Sequence, residues 1–196
     1  MKKSLSLLLA LLLLAALPLS LASCGGYKSS DFERADTETD TVLISVKDYG
    51  DIVVELYPVI APVTVANFKK LVGEKFYTET IFHRVIEDFM IQGGISATGK
   101  TADPIMGEFL ANGFRNDIKH ERGVISMART DDPNSASSQF FIVHETSPHL
   151  DGSYAAFGRV IAGIKVVDKI AKVRTGINDR PITNVVVNEI YFVKLK

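Results

Sequence analysis

The feature that most restricts the fold of this chain is a series of short apolar segments separated by turn residues. Eight segments read as strands, and they occupy 41–47, 51–57, 82–86, 89–92, 123–128, 139–144, 155–161 and 185–195, of which 82–86 and 89–92 form either a strand pair or one bent strand. Only two segments, 63–72 and 164–173, place apolar side chains at helical spacing. Because helices do not alternate with strands, a parallel βαβ sheet is disfavoured. The pattern predicts a mostly β fold, a closed eight-stranded antiparallel β-barrel capped by two α-helices.

Charge and cysteine content exclude several classes of function. The chain has 196 residues with 22 Lys and Arg against 23 Asp and Glu, so nothing favours a nucleic-acid partner. A single cysteine excludes an internal disulfide and a cysteine-cluster metal site. The four histidines form no i, i+4 pair, and no serine lies in a G-x-S-x-G nucleophile elbow. We therefore expect no metal and no cofactor.

The amino-terminal segment has the pattern of a secretory signal. Lys2 and Lys3 precede an apolar run at 7–17, which stops at Pro18 and is shorter than the roughly 20 residues of a membrane span. Residues 21–24 (LASC) resemble a bacterial lipobox, which implies cleavage after residue 23 and lipidation of Cys24. The alternative is an ordinary signal peptide with an incidental cysteine. The lipobox interpretation predicts a cell-envelope protein, lipid-anchored to a bacterial membrane on the extracytoplasmic side.

The segment between Cys24 and the first strand has the composition of a linker. Residues 25–40 contain five acidic and two basic side chains and show no apolar periodicity. We therefore predict three regions: a signal peptide at 1–23, the lipidated cysteine with a flexible acidic tether at 24–40, and a folded domain at 41–196. A flexible tether of about 16 residues reaches roughly 20–25 Å.

One short match indicates a different function. Residues 94–101 (GISATGKT) fit G-x-x-x-x-G-K-[ST], the phosphate-binding P-loop. That loop requires a following helix whose N-terminal amides hold the phosphates. Pro104 and Gly107 interrupt any helix at this place. We therefore predict no nucleotide partner and a solvated loop position for Lys100.

Several spaced motifs carry a family resemblance. The pattern from Tyr77 to Gly94 resembles the signature of the cyclophilin peptidyl-prolyl cis-trans isomerases, and further blocks follow in family order over residues 41–195. The blocks are Tyr77-x-x-Thr80-x-Phe82-His83-Arg84-Val85-Ile86-x-x-Phe89-Met90-x-Gln92-Gly93-Gly94, then 123–128 (GVISMA), 137–142 (SSQFFI), 150–152 (LDG) and 156–160 (AFGRV). The resemblance implies an isomerase that acts on proline-containing polypeptides. We expect a monomer.

The resemblance also implies the roles of individual residues. Arg84 matches the catalytic arginine, and Phe89, Met90, Phe141 and Leu150 would line the pocket for the proline ring. The alternative for Phe141 and Leu150 is plain barrel core. His83 is interpreted as structural, since no proton transfer is required. The remaining expected substrate-binding residues are Gln92, which would bond the substrate backbone, Ala128 and Arg129, which would offer main-chain groups, and Gln139, His149 and Tyr154.

Two departures from the family pattern concern this pocket, and a third concerns a loop. His149 stands where well-known eukaryotic members carry a tryptophan, and Tyr154 stands where many carry a histidine. Loss of the indole removes apolar surface, so weak cyclosporin binding is expected. One extra residue in 129–133 leaves the alignment of that loop open.

Two other functions fit parts of the pattern. A cyclophilin-shaped peptide-binding or holdase module would need the pocket but not the arginine. A lipocalin-like ligand carrier would also be a lipidated barrel, but Arg84 and Gln92 lie within the best-matched block. The interpretation that fits best is a membrane-tethered isomerase that assists the folding of exported proteins.

Overall fold

The computed structural model describes residues 26–96 and 99–196, in which strands predominate and two α-helices occur. Helix α1 spans Pro62–Gly73 and helix α2 spans Ile164–Ala171, so both predicted helices are confirmed. The strands are β1 (Phe32–Arg34), β2 (Thr41–Val46), β3 (Gly50–Leu56), β4 (Ile81–Phe82), β5 (Arg84–Ile86), β6 (Met90–Gly93), β7 (Val124–Met127), β8 (Phe140–Val143), β9 (Ala156–Ala162) and β10 (Val185–Leu195). Short 3-10 helices occupy Ser29–Asp31, Leu110–Asn112, Pro148–Leu150 and Ile177–Asp179.

The sheet differs from the predicted closed eight-stranded barrel. Its hydrogen-bonded order is β1-β10-β2-β3-β9-β7-β8-β6-β5, and all ladders between named strands are antiparallel. Two additions raise the number of strands to ten. Strand β1 was not predicted, and the predicted strand 82–86 is divided at His83 into β4, which pairs with β10, and β5, which pairs with β6. The chain pairs with β10 before His83 and with β6 after it. The hydrogen-bonded ladders between named strands therefore do not form a closed ring.

Alternation along the strands separates two groups of buried side chains. Ile91 and Phe140 belong to the main core, which also takes in α1 and α2. Their sequence neighbours Met90 and Phe141 belong to a second apolar cluster on the opposite face of the same strands. The main core holds tightly packed aromatic rings, with centroids 5.2 to 6.1 Å apart, among Phe68, Tyr77, Phe82, Phe140 and Phe157.

The amino-terminal end of α1 is held by a carboxylate from a distant loop. Pro62 occupies the first turn, where its missing N–H costs nothing. The N–H groups of Val63 and Thr64 donate to the two carboxylate oxygens of Glu108 at 3.1 and 2.7 Å. Glu108 is buried, so its charge is balanced by these amides and by the helix dipole.

The predicted tether at 24–40 is wrong over part of its length. Strand β1 pairs with the carboxyl end of β10, where Phe32 lies opposite Leu195 and Arg34 opposite Val193. The Phe32 side chain is buried and packs in a third apolar cluster, whose other buried members are Leu43, Val53, Ala162 and Val193. A single well-placed phenylalanine and the free edge of β10 therefore order a segment whose composition is that of a linker.

Other predicted features lie partly or wholly outside the described residues. The signal peptide and Cys24 fall in 1–25, which the structure does not describe. Among the residues it does describe, no helix is long and apolar enough to cross a membrane. The P-loop match contains residues 97 and 98, which are also not described, and no helix occupies the described residues 99–109 that follow. The element that holds phosphate in a P-loop is thus not built by residues 99–109.

Candidate active site

A row of side chains across three strands forms the base of the site. Arg84 on β5 lies opposite Gln92 on β6, and Gln92 lies opposite Phe141 on β8. Side chains in register on one sheet face have Cβ atoms about 4.5–5.5 Å apart. Pairing of the strands thus places a guanidinium, an amide and an aromatic ring in one line, although Gln92 and Phe141 are 49 positions apart in the chain.

This row borders a small pocket in the second apolar cluster, which we call the outer apolar cluster. Its buried members are Met90, Val124, Phe141, Val143, Leu150 and Ala156. The pocket has a volume of about 130 Å³, and its lining residues are Arg84, Phe89, Met90, Gln92, Ala128, Arg129, Phe141, Leu150 and Tyr154. Sites for drug-sized ligands and cofactors measure about 300–1,000 Å³. A pocket of this size suits one compact side chain or ring. Met90, Phe141 and Leu150 are buried in the outer cluster, so the alternative that Phe141 and Leu150 belong to the barrel core is wrong.

Aromatic contacts fix the far wall of the pocket. The Tyr154 ring meets the Phe141 ring edge to face, with centroids 5.8 Å apart. The guanidinium of Arg129 lies 4.8 Å from the centre of the Tyr154 ring, and its Nε and a terminal nitrogen donate to the Ser153 carbonyl at 3.1 and 3.0 Å. Arg129 therefore holds the wall in place through its side chain.

Two of the predicted substrate-binding residues, Gln139 and His149, are not among the residues that line the pocket. Gln139 accepts a hydrogen bond from the Gln92 side-chain amide at 3.1 Å and so orients that amide. His149 is exposed, and its ring lies 5.2 Å from the ring of Phe89 at the rim. The Ala128 N–H already donates to the Gln139 carbonyl at 2.9 Å, so this amide is not available to a bound peptide.

A carboxylate that the sequence did not indicate contacts the predicted catalytic arginine. The Nε of Arg84 donates to Oδ2 of Asp179 at 3.3 Å, across 95 positions in the chain. About two fifths of each side chain is exposed, 41% for Arg84 and 45% for Asp179. No motif marks Asp179, because the loop that carries it reaches Arg84 only in the folded chain.

A buried polar chain behind Phe141 was also missed. The Nδ1–H of His120 points to Oδ1 of Asp151 at 3.2 Å, and its Nε2 lies 3.1 Å from the Ser126 hydroxyl. The order Ser–His–Asp is that of a hydrolase triad. Ser126 is fully buried, however, and does not line the pocket, so its oxygen cannot reach a peptide. The His120 ring instead stacks on Phe141 with 6.0 Å between centroids, which supports the pocket wall from behind.

Burial determines the charge of two histidines near the site, His120 and His83. It lowers the pKa of His120, and the hydrogen bond to Asp151 opposes this effect without overcoming it. Burial also lowers the pKa of His83, whose Nδ1 is buried without a hydrogen-bond partner in the described structure. Both rings are therefore neutral at pH 7. His83 does not line the pocket, and its N–H donates to the Gln92 carbonyl at 3.0 Å, in agreement with a structural role.

The chemistry available to a bound peptide is limited to binding and electrostatics. The residues that line the pocket include no serine, cysteine or histidine. In the described part of the chain, no group of three or more His, Cys, Asp or Glu residues is arranged to hold a metal ion. The lining combines apolar and aromatic side chains with the guanidinium groups of Arg84 and Arg129 and the amide of Gln92, so the site can hold an apolar group and donate hydrogen bonds beside it.

The chain belongs to the cyclophilin-type peptidyl-prolyl cis-trans isomerases. The family model described as "Cyclophilin type peptidyl-prolyl cis-trans isomerase/CLD" matches residues 41–192. The protein is thus an enzyme that interconverts the cis and trans forms of peptidyl-prolyl bonds, and its substrates are proline-containing polypeptides.

Relatives of known sequence and structure agree with this assignment. The chain is 42% identical over 143 residues to the peptidyl-prolyl cis-trans isomerase CYP18-1 of Arabidopsis thaliana, which covers 72% of this chain and 89% of that protein. It is 46% identical over 145 residues to a peptidyl-prolyl cis-trans isomerase of Acinetobacter baylyi, covering 69% and 74%. A Cryptosporidium parvum cyclophilin, crystallised in the presence of the dipeptide Ala-Pro, superposes with a TM-score of 0.67 at 30% identity and covers 78% of this chain and 98% of its own.

Proposed function

We propose that Arg84 catalyses the rotation by stabilising the twisted prolyl amide, while the pocket of the outer apolar cluster holds the proline ring. Amide resonance sets a barrier of about 18–20 kcal/mol to rotation about the X–Pro bond. The lone pair of the prolyl nitrogen becomes a hydrogen-bond acceptor only when this resonance is broken. A cationic donor aimed at that nitrogen therefore binds the transition state more strongly than the ground state.

The observation that carries this proposal is the placement of Arg84 on the pocket edge in register with Gln92. The guanidinium is always charged and its planar fork is pre-oriented. Its Nε is directed to Asp179, so the two terminal nitrogens are the donors that remain for a substrate. Gln92, oriented by Gln139, supplies an amide for the substrate backbone on the same row.

Replacing Arg84 tests this mechanism. Arg84→Ala should lower kcat/KM by roughly 10²–10³, the loss typical of one preorganised donor. Arg84→Lys should rescue little, because an ammonium is more strongly hydrated and lacks the planar fork. Ground-state peptide affinity should change much less, since the ring pocket remains. The measurement is exchange spectroscopy on one proline-containing peptide.

The chain offers a matched control for this experiment. Arg115 also pairs through its Nε with an aspartate Oδ2 at 3.3 Å, is exposed, and does not line the pocket. Arg115→Ala should leave kcat/KM unchanged. Folded Arg84→Ala protein with near-normal exchange would refute the mechanism and favour a peptide-binding module.

We further propose that lipid on Cys24 places this enzyme on the extracytoplasmic face of a bacterial membrane, where it acts on exported proteins. The support is the lipobox-like sequence LASC at 21–24. Docking of the amino-terminal segment makes the anchor short. Cys24 precedes Gly26, the first described residue, by two positions, or at most about 7 Å of chain. The domain would therefore sit against the lipid surface, closer than the tether predicted from composition.

Replacing the cysteine tests the anchor. Cys24→Ala should prevent lipidation and leave either uncleaved precursor or a soluble product, so no protein of mature length should enter the detergent phase on phase separation. Ser23→Ala keeps a small residue before the cysteine and should still enter it. Mature wild-type protein found in the aqueous phase would contradict the anchor while leaving the isomerase assignment intact.

A further inference from the structure

The loop between α2 and β10 holds a backbone conformation that few side chains adopt. Asn178 and Asp179 are consecutive non-glycine residues in the left-handed region, each with φ of 58°. Such residues are uncommon and cost conformational free energy, and asparagine and aspartate tolerate this region best. Strain of this kind persists where the surrounding structure determines it, and it concentrates at functional sites.

Several backbone contacts determine this loop. Thr175 and Pro181 form an isolated antiparallel bridge, and the Gly176 N–H donates to the Arg180 carbonyl at 2.8 Å. The Ile182 N–H donates to the Arg174 carbonyl at 2.9 Å on the next rung. The 3-10 helix Ile177–Asp179 at the tip packs against β5, the strand that carries Arg84. The loop is therefore a braced hairpin that presents its tip to the catalytic strand.

From this geometry we infer that Asp179 is the positioning residue for Arg84 in prolyl isomerisation. The inference rests on the proposed role of Arg84. Arginine has a long side chain with many rotamers, and a single aligned contact to Nε restricts them. The Asp179 carboxylate accepts the Nε hydrogen at 3.3 Å, so it does not occupy the two terminal nitrogens of Arg84, a residue that lines the pocket. Asp179 does not line the pocket, so it acts through Arg84 and not on the substrate.

The kinetic consequence separates this role from substrate binding. An unheld guanidinium spends less time aimed at the prolyl nitrogen, which lowers kcat, whereas the ring pocket and hence KM are not touched. Asp179→Ala should lower kcat roughly three- to tenfold, the range expected for loss of one exposed charged contact. KM should stay within about twofold. Asp179→Glu, which keeps the carboxylate, should recover part of the loss.

Asp117 provides the matched control. It pairs with the Nε of Arg115 through Oδ2 at the same 3.3 Å and is exposed, but lies outside the pocket. Asp117→Ala should leave kcat and KM unchanged, which shows that loss of an exposed ion pair does not by itself slow the enzyme. Circular dichroism and denaturant unfolding of each variant check folding, and Asp179→Asn serves where Asp179→Ala is unstable.

A double-mutant cycle decides the mechanism. With Arg84→Ala already in place, Asp179→Ala should cause no further loss of kcat. An equal loss in both backgrounds would show that Asp179 acts elsewhere and would overturn the inference. A rise in kcat for Asp179→Ala would also overturn it, because the carboxylate would then be a competitor for the guanidinium. The Arg84→Ala single variant tests the proposed role of Arg84 by itself. If its kcat is unchanged, the proposed function is refuted, and this outcome is distinguishable from failure of the Asp179 inference.

Discussion

At the scale of single residues, the site depends on which way neighbouring side chains point. Phe140 and Phe141 are adjacent, chemically identical and both buried, yet they belong to different clusters. Phe140 packs on Phe68 and Tyr77 in the main core, whereas Phe141 lines the pocket. The period of two along β8 assigns them to opposite faces. Shifting the register of β8 by one residue would exchange these roles and remove the pocket wall.

One residue-scale prediction concerns an inhibitor. His149 lies at the rim, exposed, with its ring against Phe89. His149→Trp should strengthen cyclosporin inhibition by about tenfold, because an indole adds apolar contact worth about 25 cal/mol per Å², and tenfold is about 1.4 kcal/mol. The inhibition constant is measured before and after the change. Val59→Trp adds an indole at an exposed position outside the pocket and should have no effect. Unchanged inhibition in His149→Trp would contradict the idea that the missing indole weakens cyclosporin binding.

At the scale of elements, strand β1 shows how the unpaired edge of β10 can order a polar segment by pairing with it. Strand β10 is eleven residues long and pairs with β2, β4 and β1 along its length. Without β1, its carboxyl end would present unpaired N–H and C=O groups. Covering that edge and burying Phe32 both favour docking, which offsets the entropy of ordering residues 29–34.

The contribution of β1 can be measured by comparing two fragments. A fragment of residues 41–196 should have a free energy of unfolding roughly 2–4 kcal/mol lower than one of residues 26–196, because it lacks the buried Phe32 ring and the edge ladder. Its kcat/KM should be unchanged, since β1 is remote from the pocket in the sheet order. Phe32→Ala in the longer fragment should reproduce most of the loss. Equal urea midpoints for the two fragments would show that β1 contributes nothing.

At the scale of the whole molecule, the enzyme keeps its interior filled and works on an outer face of its sheet. The main core contributes no lining residue, and the pocket belongs to the smaller outer cluster. The rigid interior fixes the strands, and the strands fix Arg84, Gln92 and Phe141 in register. Preorganisation of the site is thus a property of the entire sheet.

Stability of the whole molecule should depend on pH through His120 and His83. Burial lowers the folded-state pKa of His120 and His83 below the unfolded value of about 6.5. Below that pH the unfolded chain binds more protons, so the free energy of unfolding should fall as the pH is lowered from 7 to 5. Urea unfolding at several pH values measures the slope, and His120→Asn should reduce it. Catalysis without proton transfer should stay flat over pH 6–8. A stability profile that is level from pH 5 to 7 would contradict the buried neutral state.

Much of this protein follows from local sequence pattern. Alternating residues gave the strands from β2 to β10 to within a few positions, and apolar spacing with Pro62 and Gly73 gave α1. The family resemblance carried by the motifs implied the residues, from Arg84 to Tyr154, that line the pocket. These features could be predicted because each is encoded within a short stretch of chain. Composition misled at residues 29–34, where a polar segment is ordered by an edge strand 150 or more positions away.

The sequence by itself determined the class of fold and the two helices, because periodicity is a local property, and the family resemblance of its motifs implied the pocket residues. The tertiary structure alone decided which carboxylate meets Arg84, which polar groups support Phe141 from behind, and where the sheet changes partner at His83. Those outcomes depend on contacts between separate segments, such as Arg84 with Asp179, 95 positions apart, and β4 with β10. No local pattern records such a contact, because it forms only when the core has brought the strands into register.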